Sequence, residues 1–230
     1  MNTTIMYGYK KTARIVGVLY IIGTVAGIAS VPFLSIRNAS NYLVEIANSP
    51  NTLVFGAILE LVMGFALAMI PVFMFPILRI RNEVVGVGYI VFRGALETFT
   101  YIIQAICFLA LSSLATAYAA GGIQNAENFH IIGKLLQDII ELPMGMFVFG
   151  TGALIFYFAL YKYRLVPKWL SVFGIIAILL HIVSGFMVLY GLQVSFDTSS
   201  LIMNLPIALQ EMVLAIWFIV KGFRINKTYE

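Results

Sequence analysis

The sequence predicts an all-α membrane protein with six transmembrane helices, and three observations support this fold class. Of its 230 residues, 61% are hydrophobic and only 10% are charged, whereas about 25% of an average soluble domain is charged. The apolar residues form six long runs, each near the roughly 20 residues that a helix needs to cross a bilayer. Most lysine and arginine residues lie next to the ends of these runs that share one side of the predicted membrane. This composition excludes an ordinary soluble enzyme, a nucleic-acid-binding domain and a disordered chain.

The six runs follow one another with short connections that leave no room for a separate soluble domain. We therefore expect one membrane domain over residues 1–230. None of the runs alternates polar and apolar residues as the strands of a membrane barrel do. The runs are Thr12–Leu34, Leu53–Leu78, Val84–Leu114, Ile132–Tyr161, Trp169–Leu192 and Leu201–Lys221.

The distribution of basic residues predicts the orientation of the chain. Eleven lysine and arginine residues lie beside the runs on one side, and two, Arg37 and Lys134, lie on the other. By the positive-inside rule, the side rich in basic residues faces the cytoplasm, so both termini are expected there. The formal net charge of +4 then indicates topology and contact with anionic lipid headgroups, and no affinity for nucleic acid.

The even-numbered runs share a short pattern. In each, a glutamate precedes Leu or Met, a variable residue, Met or Leu, and then Gly or Ala; the glutamates are Glu60, Glu141 and Glu211. Because a glutamate inside an apolar run is rare, we interpret the chain as three tandem helical hairpins around a pseudo-threefold axis. The odd-numbered runs show a weaker repeat, in which Gly17, Gly94 and Gly174 occupy comparable positions.

The polar residues inside the runs are expected at a similar depth. At about 1.5 Å of rise per residue, the three glutamates lie roughly 10–15 Å below the outer edge of the hydrocarbon. Arg93 and Glu97 are four residues apart, hence on one helix face. Charge in hydrocarbon is costly, so we expect a shared buried pocket in the outer half of the bilayer. The predicted ligand-binding residues are Glu60, Arg93, Glu97, Glu141, His181, Gln210 and Glu211.

The charges of this predicted site do not balance. Arg93 neutralises one carboxylate, whereas the site contains four glutamates. A dry pocket cannot hold the remaining negative charge. We therefore expect protonated glutamates, a bound cation, or water that enters from outside.

Three functional hypotheses follow from this site. The first, which we favour, is a pocket that binds, senses or moves a small cationic or protonatable ligand. The second is a structural or partner-binding subunit whose polar network only holds the bundle together. The third is an intramembrane metal-dependent hydrolase, which the lone histidine of the site and the absence of common enzyme motifs make weaker. No motif assigns a catalytic residue, a cofactor, a metal or a protein partner.

Four segments of the sequence carry a family resemblance. They are Thr12–Gly17, Tyr89–Glu97, Leu165–Leu170 and Gln210–Phe223. In this order they resemble a bacterial six-helix membrane family catalogued as domain of unknown function 4386, and the resemblance covers nearly the whole chain. It implies six helices and a location in the bacterial inner membrane, and it brings no activity, substrate or cofactor.

Overall fold

The described part of the chain is almost entirely helical. The computed structural model describes residues 3–121, 126–193 and 198–224, with side chains from Tyr9 onward, and no strand occurs among these residues. A short 3-10 helix spans Ser35–Asn38, and a π-helix spans Ile90–Leu96. The α-helices are α1 (Thr3–Leu34), α2 (Tyr42–Asn48), α3 (Pro50–Arg81), α4 (Glu83–Tyr89), α5 (Glu97–Gly121), α6 (Ala126–Glu141), α7 (Met144–Lys162), α8 (Lys168–Leu189) and α9 (Thr198–Val220).

Six helical segments within the described ranges are long and apolar enough to cross a bilayer. They coincide with the six apolar runs, so the prediction of a polytopic six-helix membrane protein is confirmed. Large apolar side chains point outward from these helices; Val25, Ile28 and Phe99, for example, are each more than half exposed. Such a surface is suited to lipid rather than water. The cytoplasmic termini and the bacterial inner membrane stay predictions.

Two of the six spans are interrupted. The third span passes from α4 through the π-helix Ile90–Leu96 into α5, and π-helical turns of this kind often occur at functional sites. The fourth span breaks between α6 and α7 at Leu142 and Pro143. Proline lacks an N–H group and its ring obstructs the preceding turn. Leu142 therefore donates its N–H to the carbonyl of Ile139, at 3.3 Å.

The contacts within the chain divide it into two compact units. Unit 1 comprises Met1–Ile22, Ala66–Thr98 and Pro143–Glu230, and unit 2 comprises Gly23–Phe65 and Phe99–Leu142. The interpretation of the whole chain as one membrane domain stays a prediction.

Unit 2 has its own apolar core, to which the short helix α2 contributes. Leu43 and Ile46 on α2 are almost fully buried, and they belong to one cluster with Leu53 of α3 and Phe108 and Leu111 of α5. The α2 segment lies outside the six spans, and its buried side chains attach it to the unit, together with Tyr42 and Ala47, which pack against the same cluster.

Three of the close helix contacts in unit 1 are made by the glycines that the sequence analysis noted in the odd-numbered spans. In each, a glycine of an odd-numbered span faces an even-numbered span, and an added Cβ would come within 2.6–3.3 Å of the neighbour. Small residues permit such close approach of membrane helices. A glycine in each odd-numbered span is the arrangement that three tandem hairpins predict, although the repeat itself stays an interpretation. The contacts are Gly17 with Ala215, Gly94 with Pro71, and Gly174 with Tyr157.

Candidate functional site

The seven predicted site residues divide between the two units. Glu60 and Glu141 lie in unit 2. The other five lie in unit 1, and they are Arg93, Glu97, His181, Gln210 and Glu211.

In unit 1, Arg93 binds two carboxylates. Its Nη1 donates to Glu97 Oε1 at 3.1 Å, and its Nη2 donates to Glu211 Oε1 at 2.9 Å. The side chain of Arg93 is 2% exposed, that of Glu97 1% and that of Glu211 13%. We call these three residues the Arg93 cluster. Both carboxylates are bound by one guanidinium in a nearly water-free environment, where charge-assisted hydrogen bonds are strong.

Aromatic side chains and a close helix contact enclose the Arg93 cluster. The ring centre of Phe149 lies 4.3 Å from Cζ of Arg93, and that of Tyr20 lies 6.0 Å away. Both rings are within the range of a cation–π interaction. On α7, Gly152 meets the π-helix so closely that an added Cβ would lie 2.9 Å from the backbone nitrogen of Arg93. The guanidinium is therefore held in one position by its surroundings.

His181 and Gln210 have other hydrogen-bond partners in unit 1. The Nδ1 atom of His181 lies 2.7 Å from Oδ1 of Asn204, and its ring packs edge-on against Phe149 at 5.0 Å. Gln210 is fully buried, and its Nε2 donates to the carbonyl of Leu170 at 3.3 Å. Among the described residues, neither Nε2 of His181 nor Oε1 of Gln210 has a hydrogen-bond partner. Phe149 is the side chain that touches both His181 and Arg93.

In unit 2, Arg37 binds Glu141. Arg37 lies in the 3-10 helix after α1 and is 7% exposed, and its Nη1 donates to Glu141 Oε1 at 3.1 Å. Glu141 is the last residue of α6, at the helix break, and its side chain is 37% exposed. The guanidinium also lies within electrostatic range of Glu60. Oε2 of Glu60 is buried and has no hydrogen-bond partner within the described ranges. We call Arg37, Glu60 and Glu141 the Arg37 cluster.

The predicted charge count, in which Arg93 neutralises one of the four glutamates, left out Arg37. Arg37 is a second buried cation, and it is paired with Glu141. We assigned Arg37 to an outer connection because it follows the first apolar run. The sequence does contain a signal that could have identified Arg37. It is one of only two basic residues on the side that is poor in lysine and arginine. A cation there is more unusual than one on the basic side.

Two glutamine side chains support the helix break in unit 2. Gln104 of α5 donates from Nε2 to the carbonyl of Ile140 at 3.1 Å. That carbonyl would bond the N–H of Met144 in a continuous helix. Gln137 of α6 donates to the carbonyl of Arg37 at 3.4 Å. The break and the 3-10 helix are thus both held by side chains near the Arg37–Glu141 pair.

Comparison with known families now places the chain. The family model described as "Domain of unknown function (DUF4386)" matches residues 15–222. The chain belongs to the DUF4386 family. The matched region contains both clusters, from Arg37 to Glu211, and the family description carries no activity. The same comparison with curated proteins and with solved structures finds no match.

The two clusters of this DUF4386 chain have the same charge composition. Each contains one guanidinium and two carboxylates. In the Arg93 cluster, both carboxylates bind the guanidinium, whereas in the Arg37 cluster the guanidinium donates to Glu141. Among the described residues, no three His, Cys, Asp or Glu side chains converge as the ligands of a metal ion would.

Proposed function

We propose that this DUF4386 protein binds a proton or a small cation at the Arg37 cluster. The observation that carries the proposal is the buried Oε2 of Glu60, which lacks a hydrogen-bond partner within the described ranges while Arg37 is bonded to Glu141. An ionised carboxylate away from water costs several kcal/mol unless a charge or hydrogen bonds compensate it. A proton on Glu60, or a cation beside it, supplies that compensation.

Partial exposure makes this cluster suitable for exchange. The side chain of Glu141 is 37% exposed, so a proton or cation can reach the pair without opening the unit. Arg37 is bonded to Glu141 and interacts electrostatically with Glu60, so we expect its guanidinium to respond to the protonation state of Glu60.

The Arg93 cluster favours the second hypothesis, a structural role, for its own residues. Its members are nearly inaccessible, and both carboxylates are already bound. A proton taken up there on folding has no exposed path for exchange. In this proposal, Arg93, Glu97 and Glu211, with His181 and Gln210, hold unit 1 together, while Glu60 and Glu141 respond to the ligand.

A stability measurement tests the proposal. The melting temperature of the purified protein is recorded from about pH 5 to about pH 9. We expect the wild type to lose stability as the pH rises, because the folded Arg37 cluster retains a proton that the unfolded chain releases. Glu60→Gln should flatten this dependence. The control Glu45→Gln removes an exposed carboxylate of the same unit and should leave it unchanged.

A cation series extends the same test. Sodium, magnesium and methylammonium chloride are each added at the alkaline end, with choline chloride at equal ionic strength as the reference. Stabilisation of the wild type by one of the three, lost in Glu60→Gln and kept in Glu45→Gln, supports cation binding. If Glu60→Gln retains the pH and cation responses of the wild type, the Arg37 cluster is not a binding site and the structural hypothesis stands alone.

Transport needs a separate assay. The protein is reconstituted into vesicles that contain a pH-sensitive dye, and proton flux is driven by a pH step. Flux that Glu60→Gln abolishes and Glu45→Gln preserves indicates movement of protons through the cluster. A protein that shows the pH-dependent stability but no flux binds or senses its ligand without transporting it.

A further inference from the structure

Unit 1 contains a basic cavity whose lining residues belong to neither the Arg93 cluster nor the Arg37 cluster. Its volume is about 330 Å³, and it is lined by Arg164, Val166, Lys168 and Arg224. Three of these four residues are basic, and within the described part of the chain no carboxylate lines the cavity. Like charges that share a cavity repel one another, so a cavity of this composition favours an anion.

The turn between α7 and α8 holds Arg164 in a fixed and unusual conformation. Arg164 has a positive φ of 53°, in the left-handed region that residues with a Cβ rarely adopt. The N–H of Leu165 donates to the carbonyl of Leu160 at 3.1 Å, and the side chains of Leu165 and Val166 are 2% and 1% exposed. These buried anchors keep the turn, and with it Arg164, in place at the cavity. With the N–H of Arg164 donating to the carbonyl of Tyr161 at 3.3 Å, this is the Schellman arrangement that ends many helices.

Arg224 reaches the same cavity from the other end of the unit's sequence. Helix α9 ends at Val220, and Gly222, at a φ of +71°, turns the chain. The N–H of Arg224 then donates to the carbonyl of Leu165 at 2.7 Å. Its guanidinium lies 5.4 Å from the ring of Trp217, within range of a cation–π interaction. Two segments distant in sequence are thus joined so that their arginines share one cavity.

Lys168 adds a third positive charge to the cavity. It is the first residue of α8, whose 22 residues begin after Pro167. No side chain caps this N-terminus, and its first turn contains no acidic residue. No carboxylate of that turn therefore neutralises Lys168. The lysine and the two arginines place three positive charges at one cavity.

We propose that this cavity binds a phosphate-ester anion, either the headgroup of an anionic phospholipid or a soluble phosphate compound. Arginine forks match phosphate oxygens, and a lysine adds a point charge. Trp169 follows Lys168, and the ring of Tyr161 lies 5.9 Å from Nζ of Lys168. The two aromatic residues are 58% and 39% exposed, and such residues are common at the level of lipid headgroups. Basic pockets on the side predicted to be cytoplasmic are suited to anionic lipid. The inference is independent of the function proposed for the Arg37 cluster.

Tryptophan fluorescence provides a direct measurement. The chain has two tryptophans; Trp217 contacts Arg224 and Trp169 follows Lys168. Purified protein in detergent is titrated with short-chain phosphatidylglycerol, phosphatidylcholine of the same chain length, or inorganic phosphate. We expect phosphatidylglycerol to bind about tenfold more tightly than phosphatidylcholine, an affinity ratio equivalent to about 1.4 kcal/mol.

Matched triple variants separate the cavity from general surface charge. The cavity variant carries Arg164→Gln, Lys168→Gln and Arg224→Gln. The control variant removes the same charge from exposed residues that do not line the cavity. We expect affinity for phosphatidylglycerol to fall about tenfold in the cavity variant and less than about twofold in the control. The control substitutions are Lys11→Gln, Arg14→Gln and Arg79→Gln.

Each outcome decides the proposal. Binding of phosphatidylglycerol that inorganic phosphate does not displace supports a lipid headgroup, and binding of inorganic phosphate alone supports a soluble compound. Equal loss of affinity in the two triple variants overturns the proposal, as does a wild type that neither prefers phosphatidylglycerol to phosphatidylcholine nor binds inorganic phosphate. If the cavity variant fails to fold, the exposed single substitution Lys168→Gln is compared with Lys11→Gln by the same titration.

Discussion

The Arg93 and Arg37 clusters contain the same groups in different surroundings. Each has one guanidinium and two carboxylates. Arg93 and Glu97 are almost fully buried, whereas Glu141, the partner of Arg37, is 37% exposed. In the Arg93 cluster, Glu211 is bound to the guanidinium as well as Glu97. In the Arg37 cluster, Oε2 of Glu60 is buried and has no hydrogen-bond partner among the described residues.

From this difference we infer that burial, and not charge count, decides what an intramembrane ion pair can do. The Arg93 cluster should hold its helices together strongly, because breaking it leaves charge in a low-dielectric interior. The Arg37 cluster should contribute less to stability, and in our proposal it exchanges a proton or a cation. The following substitutions are ordered by the size of the expected effect on this comparison.

Loss of the central arginine should separate the clusters most clearly. Arg93→Gln leaves Glu97 and Glu211 facing each other in a dry interior, and we expect a destabilisation of about 3–5 kcal/mol. Arg37→Gln should cost clearly less, because Glu141 can be hydrated. Unfolding in detergent with increasing denaturant gives both values. Equal losses would mean that the two clusters have the same structural weight.

A glycine substitution tests how tightly the Arg93 cluster is packed. In Gly152→Ala, the new Cβ would lie 2.9 Å from the backbone nitrogen of Arg93, and such overpacking costs about 1–3 kcal/mol. In Gly88→Ala, the nearest atom would be 3.6 Å away. That control should be neutral, or stabilising by about 0.5–1 kcal/mol through helix propensity. A stabilised Gly152→Ala protein would contradict the close contact.

The helix break in unit 2 depends on Gln104. Gln104→Leu leaves the carbonyl of Ile140 without its side-chain donor, and we expect a loss of about 1–3 kcal/mol. The comparison is Ser113→Ala on the same helix, where an exposed hydroxyl bonds only its own helix. Thermal melts of the two variants measure the difference. If the two losses are the same, Gln104 does not support the break.

The smallest effect is expected at the exposed pair Lys134–Asp138 on α6. Its atoms are 2.6 Å apart, and the side chains are 66% and 54% exposed. Exposed pairs of this spacing contribute about 0.3–0.5 kcal/mol. Lys134→Gln should therefore change the melting temperature very little and leave the pH dependence intact. A large loss would show that exposure is a poor guide to the weight of ion pairs in this protein.

The sequence predicted the six spans well because long apolar runs allow few alternatives in a membrane. It also identified the intramembrane glutamates, since charge there is rare. Arg37 was missed because it lies just beyond an apolar run. The π-helix around Arg93 adds one residue to a turn and leaves no mark on hydropathy. The division of the glutamates between two units could not be predicted, because the rise per residue gives depth but no direction.

Carbodiimide labelling tests the central claim most directly, because a hydrophobic carbodiimide modifies protonated carboxyl groups inside membranes. The purified protein is labelled over a pH series, and each glutamate is followed by mass spectrometry. We predict that Glu60 is modified first, that its labelling falls as the pH rises, and that Glu97 and Glu211 remain unmodified. Labelling of Glu97 or Glu211 as fast as Glu60, or labelling of Glu60 that does not change with pH, would contradict the account.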